Sequence, residues 1–232
     1  MKMHFFSPIF VVALCAMSLA GSAGAATVLV NNTTLNGSFE TGTSSTPATW
    51  VSYGANSTIG RGNASAAISG TTHEGNYSLV VGMNGDGVTT TNGALNTGYT
   101  IQSGDSFNLS FWYNGAFQWD DGDQINFRLF YTSDNTMTGA ATAIYASTVS
   151  PKAGTSSANW QQFSLTNIGT TGGSIGKTLF VLFTPGAGVS TNEFARVDEV
   201  ALSVVPEPAT WALIGLGLGG WLVCRARRRL VR

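Results

Sequence analysis

Between Thr27 and Val205 the chain has no cysteine: Cys15 lies in an N-terminal apolar run and Cys224 close to the C-terminus. Disulfides and thiol chemistry are therefore excluded from the middle of the protein, which must be held by its core alone. Basic residues are scarce there too. Arg61, Arg128, Lys152, Lys177 and Arg196 stand against eleven acidic residues, a net of about −6 that the whole-chain value of −1 conceals, because Lys2 and five C-terminal arginines offset it. No basic footprint remains, so nucleic acid is excluded as a partner. His73 is the one histidine of this stretch, and there is no Gly-x-Ser-x-Gly elbow, zinc-type histidine motif or phosphate loop. Also missing before Pro206 is any capped apolar stretch of helical period or any repeat of fixed length, which argues against a parallel α/β sheet, a propeller or a solenoid.

What is present has a period of two. In "SFNLSFWYNG", Phe107, Leu109, Phe111 and Tyr113 alternate with Asn108, Ser110 and Trp112; in "DQINFRLFYTS", Ile125, Phe127, Leu129 and Tyr131 alternate with Asn126, Arg128 and Phe130. The same reading suits "ATWVSYG", "NYSLVVGM", "WQQFSLTN", "KTLFVLFT" and "FARVDEVALSV". Turn signals separate them at Asn36-Gly37, Asn84-Gly85-Asp86-Gly87, Asn92-Gly93 and Ser103-Gly104-Asp105. Short strands with glycine-rich turns predict an all-β antiparallel sandwich of jelly-roll type over residues 26–204.

The two ends read differently. Lys2, the apolar run Ile9 to Ala20 and the small residues Ala23-Gly24-Ala25 make residues 1–25 a secretory signal peptide, cut by signal peptidase before Ala26. The run is short for a transmembrane helix, and Leu14 before Cys15 is wrong for a lipoprotein. Seven Asn-x-Ser/Thr sequons, from Asn31 to Asn108, are read as a product of a composition rich in Asn, Ser, Thr and Gly.

The motifs "LNGSFETG", "ATWVSYG", "THEGNYSLVVG", "IQSGDSFNLSFWYNG", "NWQQFSL" and "FARVDEVALSV", in this order, resemble the galactose-binding-like jelly roll of the family 4/9 carbohydrate-binding modules. The resemblance implies a structural calcium site in which Glu40 and Asp198 lie close together and a backbone carbonyl near Asn76 completes an oxygen shell of the kind Ca²⁺ selects. The competing expectation is that these carboxylates are solvated or paired with Arg61 or Arg196.

A glycan surface needs flat aromatic rings beside polar groups that replace the water lost by sugar hydroxyls. Trp119 with Asp120 in "FQWDDGDQ", Trp112 opposite the core face of its strand, and Arg128 and Tyr131 nearby are the candidates; against them, a Trp on a strand also serves to fill a sandwich core. Asp120-Asp121-Gly122-Asp123 lacks the spacing of an EF-hand loop and reads as an acidic turn. No pair among eleven acids is singled out as a hydrolase dyad, and His73 sits where a turn is expected, so no catalytic role is assigned.

The tail reads "VPEPATWALIGLGLGGWLVCRARRRLVR". Residues 209–224 would span roughly 24 Å as a helix, enough to cross a membrane with snorkelling arginines and local thinning. Trp211 and Trp221 suit the interfaces, and Arg225, Arg227, Arg228, Arg229 and Arg232 would hold the C-terminus in the cytoplasm. No charge falls between Glu207 and Arg225, which discards an interfacial amphipathic foot. The order Pro206-Glu207-Pro208, apolar helix and arginine cluster over residues 205–232 closely resembles the PEP-CTERM sorting signal of Gram-negative bacteria. That resemblance implies recognition by a membrane-embedded exosortase, export across the inner membrane, and removal of the helix on passage to the cell surface or extracellular polysaccharide. The expectation is an exported, non-catalytic jelly-roll protein that binds extracellular glycan or matrix; the alternatives are a purely structural biofilm component and, third, a glycoside hydrolase.

Overall fold

The computed structural model describes residues 25–63, 72–154 and 156–206; the expected signal peptide and the transmembrane part of the tail lie outside the described residues. Ala26–Val205 form one compact unit that contains its own core, the property expected of a segment able to fold alone. Thirteen strands make it up: β1 (Thr27–Val30), β2 (Trp50–Val51), β3 (Ser57–Thr58), β4 (Arg61–Asn63), β5 (Tyr77–Met83), β6 (Thr90–Thr91), β7 (Gly93–Thr100), β8 (Ser106–Gly115), β9 (Ile125–Thr132), β10 (Ala141–Val149), β11 (Gln161–Gly169), β12 (Thr178–Pro185) and β13 (Glu193–Val205). They form two sheets, as the alternation predicts. The eight-stranded sheet runs β11-β8-β13-β5-β6-β3, with β1 beside the C-terminal half of β13 and β4 beside β5; the five-stranded sheet runs β10-β9-β12-β7-β2. From β7 to β13 the chain changes sheet at every connection except the β9–β10 hairpin, the winding of a jelly-roll-like sandwich.

The inward faces supply the core. Phe107, Leu109 and Phe111 of β8 meet Ile125, Phe127 and Leu129 of β9, Leu179, Val181 and Phe183 of β12, and Val197, Val200, Leu202 and Val204 of β13. At its centre the Phe111 ring packs edge-on against Phe127 and Phe183, each at 4.9 Å, and stacks on Phe163 at 5.1 Å. β12 is buried on both faces from Leu179 to Phe183, because Ala94, Phe130, Phe180 and Leu182 form a second apolar cluster on the outer side of the five-stranded sheet, with Tyr53, Met137 and Ala141 packed against it.

Two local features depart from simple alternation. In β13 the register shifts between Asp198 and Ala201, and Glu199 adopts φ 48°, which is a β-bulge. Asn92-Gly93, read from sequence as a turn, instead joins β6 of one sheet to β7 of the other. A Cβ on Gly93 would lie 2.7 Å from Leu79 Cδ1, so a larger residue there would displace that buried side chain.

Truncating Phe111 to Ala removes the shared partner of three core rings. The expected cost is about 3–5 kcal/mol, read as a lower urea midpoint at unchanged m-value for residues 26–205; a loss below about 1 kcal/mol would show that the core closes over the gap.

Candidate functional site

The residues singled out by sequence fall on three separate places. The first is the turn leading into β5. Asp198 Oδ2 accepts the backbone N–H groups of His73 (2.9 Å) and Glu74 (3.3 Å), while Glu40 Oε1 accepts those of Asn76 (2.8 Å) and Tyr77 (2.9 Å). Gly75, at φ +65°, lets the turn close on Glu40, for a Cβ there would lie 2.3 Å from Oε1. Glu40 and Asp198 thus grip opposite ends of one turn, with Asn76 bound to Glu40 through its N–H. Neither carboxylate pairs with an arginine. Arg61 gives its guanidinium to the carbonyl groups of Thr43 and Phe39 and lies over the Tyr77 ring, and among the described residues Arg196 Nε and Nη1 have no hydrogen-bond partner. Burial lowers Arg196 to about 10, so it stays cationic at neutral pH. Burial also pushes Asp198 up to about 7, against the pull of three backbone N–H groups and with Glu199 adding to the rise. Its two carboxylate oxygens are occupied, the second by Glu199 N–H at 2.8 Å. Among the described residues Glu40 accepts hydrogen bonds at Oε1 only, which leaves Oε2 for a further ligand.

The second place is the outer face of the eight-stranded sheet. Trp112 lies opposite Gln162 of β11 and Asp198 of β13. The His73 ring stacks on it at 3.8 Å and 13°, with Trp160 edge-on to His73 at 5.7 Å. His73 Nδ1 is hydrogen-bonded to Glu199 Oε2. One face of Trp112 is therefore occupied by imidazole.

The third is the outer face of the five-stranded sheet. Strand register sets Ala146, Arg128 and Leu182 in one row and Thr148, Asn126 and Thr184 in the next. These six line a groove of about 450 Å³ together with Ser147 and Phe127. At one end the groove abuts the second apolar cluster, and the Arg128 guanidinium stands over the rings of Phe130 (5.3 Å) and Tyr53 (5.4 Å). Such cation–π contacts fix the direction of a long side chain. Asn126 is exposed and Arg128 partly so.

The expected glycan residues do not converge. Trp112 and Arg128 lie on different sheets. Trp119 is 2% exposed and part of the core, so its ring offers no face to a sugar. Tyr131 is packed against the core from the inward side of β9, with its hydroxyl close to Gly173. Asp120 is exposed but belongs to a hydrogen-bonded turn: its N–H donates to Asp123 Oδ2 (2.9 Å), Asp123 N–H donates back to its carbonyl (3.2 Å), and Asp121 Oδ1 accepts from Ala153 (3.0 Å). Asn126, Thr148, Thr184 and Tyr53 were not singled out by sequence. The alternation of β9 already places Asn126 beside Arg128, which is the signal that would have found it.

None of the curated proteins matches this chain. Among solved structures, a cyclase from Fischerella sp. TAU is similar over 79% of this chain and 100% of its own, at 16% identity and a TM-score of 0.56. The tandem CBM22-1–CBM22-2 domain of Paenibacillus barcinonensis Xyn10C is similar over 82% of this chain and 49% of its own, at 15% identity and a TM-score of 0.50. An arabinose-bound α-L-arabinofuranosidase, MgGH51, covers 80% of this chain and 27% of its own, at 14% identity and a TM-score of 0.51. At these identities the likeness concerns the fold, which is shared by enzymes and binding modules alike. Residues 204–229 match the PEP-CTERM protein-sorting motif.

The raised Asp198 carboxyl has a defined pH signature. Its folded form holds a proton up to about pH 7, whereas an unfolded chain releases it from about pH 4. Ionisation is thus harder in the folded state, and this group's contribution falls as pH rises from about 4 to 7 and is level above. In chelator, melting of the wild type is expected to lose ground against Asp198→Asn across that window; a constant difference between the two would remove Asp198 as the titrating group.

Proposed function

We propose that this protein is exported, sorted to the cell surface through its PEP-CTERM tail, and binds extracellular glycan without catalysis, taking the sugar in the groove of the five-stranded sheet. The supporting observation is the groove itself, about 450 Å³, lined by Arg128, Asn126, Ser147, Thr148 and Thr184 over a floor that includes Leu182. Sugars need that mixture: amide and hydroxyl groups to replace lost water, and apolar surface beneath. The sorting motif implies that an exosortase handles the tail at the inner membrane of a Gram-negative bacterium. Extracellular polysaccharide is then the partner at hand. A second reading, a structural matrix component with no ligand site, draws on one observation: no exposed aromatic ring lines the groove, and Trp112 is already stacked on His73. A glycan array with residues 26–205 separates the two. Binding that drops at least tenfold in Asn126→Ala supports the glycan reading, and uniform silence supports the structural one.

Calcium belongs to this proposal as a stabiliser. Asp198 is fully buried and both of its oxygens already accept backbone N–H groups, so Glu40 Oε2, which accepts no hydrogen bond from the described residues, is the carboxylate oxygen open to the ion. No third acidic, histidine or cysteine side chain joins them among the described residues, so carbonyl oxygens and water would supply the rest of a six- to eight-oxygen shell. Calcium is expected to raise the melting temperature of residues 26–205 relative to chelator, with the rise lost in Glu40→Ala; equal melting in both conditions would exclude a bound ion.

A further inference from the structure

We propose that the groove of the five-stranded sheet selects an acidic polysaccharide, with Arg128 pairing to the carboxylate of a uronic acid residue. This rests on the glycan reading and narrows it to a class of sugar. Among the groove's lining residues Arg128 alone carries charge. Among the described residues its guanidinium has no carboxylate partner, in a stretch where acids outnumber bases eleven to five. The acids are elsewhere: Asp120, Asp121 and Asp123 are tied into their turn, Glu40 and Asp198 into the turn before β5, and Glu199 to His73.

Three physical features make this arginine suited to a carboxylate. Its planar fork matches the two carboxylate oxygens, giving paired charge-assisted hydrogen bonds. The rings of Tyr53 and Phe130 hold the guanidinium at 5.4 and 5.3 Å, so less side-chain entropy is lost on binding. The buried cluster of Ala94, Phe130, Phe180 and Leu182 lies beside it and lowers the local dielectric on that side, which strengthens an ion pair relative to one in open water. Thr148, Asn126 and Thr184 form the adjoining row. They offer neutral donors and acceptors to ring hydroxyls while repelling no anion. The net negative charge of the unit disfavours a polyanion over most of its surface, which adds to the preference for Arg128.

The test compares polygalacturonate with its fully methyl-esterified form, which keeps the sugar and removes the charge, and with poly-L-glutamate, which keeps the charge and removes the sugar. Residues 26–205 are titrated with each by calorimetry at fixed ionic strength, together with Arg128→Gln and Arg128→Lys. The expected result is at least tenfold tighter binding to polygalacturonate than to either control. Arg128→Gln loses that preference, and Arg128→Lys retains only part of it, because charge without the fork is insufficient. Equal binding to the acid and its ester overturns the selectivity and leaves the glycan reading standing. Equal binding to polyglutamate overturns the sugar class. No binding to any of the three, with binding to neutral glycans on the array, overturns the inference alone; silence on the array as well removes both.

Discussion

The bulge in β13 is the constraint on which both the core and the turn before β5 depend. Side chains on a strand alternate strictly, so one inserted residue moves every later side chain to the other face. β13 absorbs that insertion at Glu199, whose φ of 48° places Val197 and Val200 both inward, and Leu202 and Val204 continue the core beyond it. On the outward side Asp198 is delivered beneath the turn that leads into β5, where His73 and Glu74 donate to it. At the same level Val200 N–H binds the Gly37 carbonyl, and a Cβ on Gly37 would lie 2.2 Å from the Val200 carbonyl oxygen. One irregular residue therefore docks the opening loop and the β5 turn onto the middle of the larger sheet. An acid buried without a cation is tolerated there because backbone dipoles surround it.

Much of this was legible in sequence. β8, β9, β12 and β13 announce themselves through bulky residues at period two, and even the bulge shows in "RVDEVAL", where the valines stand three apart. β7 and β10 do not, for "GALNTGYT" and "ATAIYASTV" carry few large side chains, and β10 buries only Val149. β10 is an edge strand and supplies little to the core, and β7, between β12 and β2, is made mostly of small and polar residues, so both leave little pattern. The candidate site was legible only in part. Arg128 and Tyr131 stand three apart on one strand and must face opposite sides, which alternation alone could have told. Trp119 was not readable in this way, since it follows β8 in a loop and enters the core through tertiary packing that no periodicity encodes.

The two outer faces divide their labour. Around the turn before β5 on the larger sheet, polar groups are spent on one another: carboxylates on N–H groups, imidazole on indole, histidine on glutamate. On the smaller sheet half of the face is apolar, with Tyr53 and Met137 packed against it, and the other half carries an arginine without a carboxylate partner among the described residues, several hydroxyls, and an Asn126 amide that gives one hydrogen to the Pro185 carbonyl. Recognition is favoured where binding capacity is left over, as it is beside Arg128. The mixture of small polar residues there also explains the weak sequence signal, because Asn, Ser and Thr are common throughout the chain.

The position of β13 also has a mechanical meaning. It is the last strand in the sequence, yet it sits inside the sheet, between β8 on one side and β5 and β1 on the other. Without it, the strands on its two flanks have nothing to join them, so the larger sheet is complete only with the chain present up to Val205. Pro206 follows at once. A pull applied to Val205 along the axis of β13 would act across its ladder hydrogen bonds, which share it in shear rather than opening one at a time. The strand that completes the fold is thus also the one that would carry its load, and trimming the tail even a few residues too far would take away part of the sheet's central member.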